Sequence, residues 1–310
     1  MPALAAGLDY LDLHFRGRPQ IIATVILHGP AGVALIDPGP STTIPTLTKE
    51  LDKRGIGFGD VRQLVLTHIH LDHAGATGSI LDNHPHIDVL VHEKGARHLV
   101  DPSKLIASAG RIYEQDMDRL WGEIRPVPAA RIRPLAGGET LSVLGRELKV
   151  AYTPGHASHH VSYLDTSSRI AFVGDTAGIR RGSGTFVMPP TPPPDIDLAA
   201  WRESERKILA WEPDTLFLTH FGPYHGARPH FQAMFLTLAE WSDVVRRLLA
   251  EASLTDEDRQ QRFVDQAFQD LRRRVGETEA ADYTRAGGLN FSYNGLARYW
   301  TKTYQSWHSP

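Results

Sequence analysis

The stretch LVLTHIHLDHAG (64–75) restricts what this chain can fold into more than any other. A run of β-formers stops at three histidines and an aspartate packed into six positions. Residues two apart on an extended segment point the same way, so His68 and His70 can converge on one ion. The chain then turns, and Asp72 and His73 leave in another direction, suited to a second ion. Taken alone, the loop stays open between a ligand cluster and a polar surface turn. The pattern returns three times, however: TPGHASHH sets His156, FVGDT sets Asp175 and FLTHFG sets His220 where an apolar strand runs out. Strand ends are where sites form in layered α/β folds. Five histidines and two aspartates placed this way argue for a metal centre.

Composition narrows the chemistry. The chain has no cysteine, so a metal must be held by nitrogen and oxygen, a donor set that accepts Zn, Mn, Fe or Co. A net charge of -3 gives no overall attraction to polyanions and disfavours nucleic acid as a partner. The first residues lack a basic segment followed by an apolar core, and no apolar run approaches the roughly 20 residues of a membrane span. The expectation is a cytoplasmic enzyme with a small-molecule substrate and no membrane partner. The oligomeric state is left open, a homodimer included.

Periodicity predicts strands at 11–15, 20–27, 33–40, 61–67 and 87–93, with a helix over 41–55 and helical sequence from 93 to about 123. Residues 139–155 read as a hairpin turning at Gly145, and 160–175 as another turning near Ser167. A proline-rich loop (188–195), a helix (197–211) and a strand (215–220) follow. One apolar stripe from Phe231 to Leu249 and a second from Val264 to Val275 predict a helical pair over 228–276. The tail from 277 is aromatic and shows no clear period.

The ordered set HxHxDH, His, Asp, His resembles the metallo-β-lactamase superfamily over about residues 10–225. The resemblance implies an α/β fold, an αββα four-layer sandwich of two mixed sheets flanked by helices, over 1–227. A C-terminal helical extension over 228–310 would pack on it. It also implies two divalent ions, zinc first and iron or manganese next. His68, His70 and His156 would hold one, Asp72, His73 and His220 the other, with Asp175 bridging. Asp37, in LIDPGP, matches the family's early aspartate, which supports the ligand loop rather than ligating. Aspartate at the bridging position, where true β-lactamases carry cysteine or serine, argues against antibiotic hydrolysis. THFGPYH also differs from the last motif of the glutathione-thioester hydrolases, and the tRNA-processing nuclease signature is missing.

Two ions about 3.5–4 Å apart can bring the pKa of a shared water toward about 7. The expected reaction is attack of a bridging hydroxide on the carbonyl of a small ester, lactone or thioester, Asp72 passing the proton to the leaving group. Alternatives are a phosphodiesterase or nuclease, and a mononuclear-iron dioxygenase acting on sulfur. His159 and His160 read as supporting residues. Tyr224 and His225 read as a surface loop or as residues reaching the substrate, and Arg180 and Arg181 as solvated side chains rather than a grip on an anion. His84, His86, His92 and His98 read as ordinary, and Arg246, Arg247 and Arg272–Arg274 as solvated helix faces. Ile112, Tyr113, Met117 and Trp121, the proline-rich loop and the helical pair read either as the walls of a rather apolar pocket or as plain core.

Overall fold

The computed structural model describes residues 4–308, with side chains to Thr303. Two six-stranded sheets lie face to face. The first runs in sequence order through β1 (Leu8–Asp12), β2 (Ala23–Gly29), β3 (Gly32–Ile36), β4 (Val61–Val65), β5 (Asp88–His92) and β6 (Ile132–Leu135). Its first three strands are antiparallel and its last four pair in parallel. The second contains β7 (Thr140–Val143), β8 (Arg146–Tyr152), β9 (Val161–Asp165), β10 (Ile170–Phe172), β11 (Thr215–Leu218) and β12 (Gly222–His225). Only its β10–β11 pair is parallel. The predicted turn at Gly145 forms with positive φ at both Leu144 and Gly145, the backbone that a tight primed hairpin requires.

Alternation along the strands sends one set of side chains between the sheets. Val25, Ile36 and Val65 meet Val150, Tyr163 and Phe172 there, all at most 3% exposed. The opposite face of the first sheet is covered by α1 (Ile44–Asp52), α2 (Leu71–Ala74), α3 (Thr77–Asn83), α4 (Glu93–Val100), α5 (Ser103–Tyr113) and α6 (Met117–Trp121). The outer face of the second receives α7 (Leu198–Ala210), α8 (Ala227–Ala250), α9 (Asp256–Val275), α10 (Glu277–Gly287) and α11 (Leu289–His308). The architecture is the αββα sandwich with its C-terminal helices. The stripe from Phe231 onward does what its period requires, seating Phe231, Met234, Phe235 and Leu238 in one core with Leu216 and Leu218. Thr255 caps α9 in a capping box with Asp258.

The first strand departs from expectation. It spans Leu8–Asp12 rather than 11–15, because the Asp12 carboxylate accepts the backbone N–H of His14 (3.0 Å) and of Gln20 (2.7 Å) and closes a turn there. No described helix is long and apolar enough to cross a membrane.

Candidate metal centre

The sheet topology gathers the metal-capable residues at one edge. β3 and β4 are parallel neighbours, so Asp37, just past β3, lies beside Thr67 and His68, just past β4. β10 and β11 are also parallel, which brings Asp175 and His220 out together. The two sheets are stitched at this edge: Val161 N–H donates to the Thr67 carbonyl (2.8 Å), and the Tyr163 hydroxyl donates to that of Leu66 (2.7 Å).

All seven predicted residues meet there. Three overlapping groups, His68–His70–His156, His68–His73–Asp175 and Asp72–His73–His220, each hold their donor atoms within 4.8 Å of one another. Nε2 of His156 is 2.9 Å from Nδ1 of His70, and the Nε2 atoms of His73 and His220 are 3.2 Å apart. Asp175 faces His73 at 3.2 Å, His156 at 3.3 Å and His220 at 3.4 Å. Asp72 lies 3.2 Å from His220 and 3.6 Å from His73. Nitrogen facing nitrogen, ringed by carboxylate oxygens, is a donor set that a cation would complete. Inside it the buried Nε2 of His68 has no hydrogen-bond partner among the described residues, an orphan rare without a ligand, and Oδ1 of Asp175 is met only by Nε2 of His73 (3.2 Å) and His220 (3.4 Å).

The outer nitrogens explain the inward aim. Nδ1 of His156 meets the Pro190 carbonyl at 2.9 Å and Nδ1 of His220 meets that of Ile21 at 2.6 Å. Nδ1 of His73 bonds Asp37 at 2.8 Å, so in each ring Nε2 is left to face the cluster. Asp37, fully buried and at φ +51°, is a hub. Its carboxylate also accepts the Thr67 N–H (2.8 Å) and the hydroxyls of Thr67 (2.7 Å) and Thr219 (2.9 Å). The two threonines were missed in the sequence, although a Leu-Thr-His triplet spans both positions and carried the signal.

Charge follows position. Burial and the neighbouring His156 push His70 down to about 4, and burial holds His68 well below the ordinary histidine value; both are neutral ligand forms at pH 7. Burial works against ionised Asp72, yet His73 and His220 hold it at about 2. His73 and His220 are in turn raised against burial, chiefly by Asp175. A divalent ion would supply the positive charge that these carboxylates draw from the two rings.

His160 supports the cluster from behind. Its Nε2 accepts the Asp175 N–H (3.2 Å), while Nδ1 meets the hydroxyls of Thr153 (3.0 Å) and Thr176 (3.1 Å). Gly174 sits in this contact at φ +45°, where a Cβ would fall 2.6 Å from both His160 Nε2 and Thr67 Oγ1. Gly174→Ala is therefore expected to shift Asp175 and destabilise the fold by roughly 1–3 kcal/mol, read by denaturant unfolding alongside metal content.

The cluster forms the floor of a cavity of about 780 Å³, the size of small-molecule sites. Ile112, Tyr113 and Trp121 wall it, with Pro190 and Pro192–Pro194 of the proline-rich loop; His159 lines it beside the donors. Three expectations need correcting. Met117 and the helical pair of 228–276 do not line it; the opposite wall comes from 284–291, whose Phe291 ring lies 5.1 Å from Tyr113. The lining is not mainly apolar, since Lys94, Arg97, Lys104 and other charged side chains contribute to it. Arg181 is not solvated: it is 8% exposed and ion-paired to Glu279 (3.2 Å) and Asp282 (3.3 Å) of α10. Tyr224 donates to the Arg180 carbonyl (2.9 Å) from β12 rather than entering the cavity. His84 stacks on Phe58 and His92 on Tyr152, as ordinary residues do.

The Metallo-beta-lactamase superfamily model matches residues 17–220, about two thirds of the chain. The chain belongs to that superfamily. Membership makes it a metal-dependent hydrolase. Within the superfamily, the metallo-beta-lactamase fold-containing protein ST1585 of Sulfurisphaera tokodaii is 29% identical over 208 residues, 66% of this chain and 74% of that protein. A hydroxyacylglutathione hydrolase of a Synechococcus species is 28% identical over 153 residues, 49% of this chain. That match spans only 47% of the hydrolase's own length. The crystal structure of the metallo-beta-lactamase family protein TTHA1429 from Thermus thermophilus superposes with a TM-score of 0.69 at 22% identity. It covers 97% of this chain and 95% of that one, a likeness of fold.

Proposed function

We propose that the cluster holds two divalent ions, zinc in the first place with iron or manganese fitting the same donors, and that the enzyme hydrolyses a small ester, lactone or thioester. His68, His70 and His156 take one ion, Asp72, His73 and His220 the other, and Asp175 lies between them. The observation that carries this reading is the buried, unpartnered Nε2 of His68 within a seven-residue donor set whose ring nitrogens and carboxylates all face one another. Bound there, divalent ions supply Lewis acidity at the carbonyl oxygen and a water acidic enough to react near neutral pH.

The chain's own groups do the rest. Asp72 keeps a quarter of its side chain open to the cavity, whereas Asp175 is 5% exposed, so Asp72 is the carboxylate placed to take the proton given up by the attacking water and pass it to the departing alkoxide or thiolate. Nδ1 of His73, His156 and His220 is held by Asp37, Pro190 and Ile21, which keeps each ring from turning during turnover. The proline-rich wall, Tyr113 and Trp121 exclude water from the acyl group. A relative named as a hydroxyacylglutathione hydrolase supports carbonyl over phosphorus chemistry.

The test joins elemental analysis of the purified protein with a panel of lactones, thioesters and phosphodiesters. Chelation is expected to reduce carbonyl hydrolysis to background and one added metal to restore it. Turnover confined to phosphodiesters, or oxygen uptake with a persulfide, would replace this reading.

A further inference from the structure

Three cations on one wall of the cavity have no part in the hydrolytic reading. Lys94 and Arg97 lie one turn apart on α4 and Lys104 lies in the first turn of α5; all three line the cavity and are exposed. Of the other cations there, Arg119 pairs with Asp116 and Arg285 with Asp282, while Arg16, from a different segment, also has no ion pair among the described residues. Lys94, Arg97 and Lys104 have no carboxylate within ion-pair distance among the described residues. Lys94 Nζ instead donates to the Tyr152 hydroxyl (2.7 Å), and Arg97 Nε donates to Nε2 of His98 (3.2 Å). Burial, together with Arg97 and Lys104, holds His98 neutral, which lets it accept that bond. Of the nearby acids, Asp195 accepts from Ser158 and Asp101 accepts the Ser103 N–H (3.1 Å), and Glu114 lines the cavity as well; none is within ion-pair distance of the three cations.

Packing fixes where this charge sits. Gly95, between Lys94 and Arg97, lets α4 lie directly on the metal loop; a Cβ there would come 2.8 Å from Ile69 and 3.5 Å from the Cβ of His159. The element that carries Lys94 and Arg97 is thereby fixed against the metal loop, and both line the same cavity as His70.

We propose that this wall is an anion subsite: the substrate carries a negatively charged tail, a carboxylate or a phosphate, gripped by Arg97 and Lys104 with Lys94 beside them, while its acyl carbon reaches the His/Asp cluster. The inference rests on the hydrolytic reading and narrows it to anionic acyl compounds. The guanidinium fork of Arg97 can bind an oxyanion through two parallel N–H bonds, and the lysines add point charges.

The experiment compares kcat/KM of the metal-loaded full chain for three esters of equal length, with a neutral, a carboxylate or a phosphate end. Expected is at least a tenfold preference for one anionic ester, shrinking as salt rises, and the choice between the two identifies the tail. In Arg97→Ala/Lys104→Ala that preference should collapse, whereas Arg111→Ala, on α5 but outside the lining, should keep it. Equal kcat/KM for charged and neutral esters, or a preference surviving the double substitution, overturns the proposal. Calorimetric titration with the matching amides, anionic and neutral, reads the subsite without turnover. If no ester is cleaved, the hydrolytic reading falls, while a tenfold tighter anionic amide, lost in the double variant, still upholds the subsite.

Discussion

Replacing His68 or Asp175 by alanine is expected to leave a folded protein that neither retains metal nor turns over substrate. His68→Ala gives up one side-chain bond, to the Thr67 hydroxyl (3.1 Å), and Asp175→Ala the ion pairs to His73, His156 and His220, while the donor set loses its centre. Carbonyl hydrolysis should fall roughly 1000-fold or more, about 4 kcal/mol of transition-state stabilisation. Elemental analysis and circular dichroism on the same preparations decide the matter. A folded His68→Ala protein that still binds metal stoichiometrically and turns over would end the assignment.

Asp37→Ala should fail differently, through the scaffold. Its carboxylate accepts from Thr67 twice, from Thr219 and from His73, linking the ends of β4 and β11 to the ligand ring. Alanine strands four donors in a site closed to water. The expected cost is about 3–5 kcal/mol, which for a chain of this size lowers Tm by on the order of 10 °C. Metal affinity should drop about 10- to 100-fold because His73 loses its orienting partner. Thermal melts and metal titration read the two effects separately. Asp37→Asn, which keeps one acceptor, should recover part of the stability and little of the affinity.

The donor set was legible because its members cluster in or just after the loops where apolar strands run out, a pattern contained in a few neighbouring residues. The sandwich followed from strand and helix periods and from the family resemblance. The missing strands share a cause. β6 contains Pro134, β12 contains Pro223, and both are edge strands, the one place in a sheet where proline is tolerated. The last helices were obscured by glycine: Gly295 interrupts the pattern of α11 because the proline-rich loop passes so close that a Cβ would strike the Thr191 carbonyl. The cavity walls were least legible. Phe15, Ile22 and Phe291 come to line one cavity with Asp72 only through tertiary packing, and no local period announces such a meeting.

That one wall of the cavity is drawn from 284–291, while every predicted donor lies between 68 and 220, separates two kinds of inheritance. Substitutions near the C-terminus can alter which molecules are admitted without disturbing the reactive machinery. Lineages sharing this ancestry are thus free to diversify in diet while conserving their chemistry.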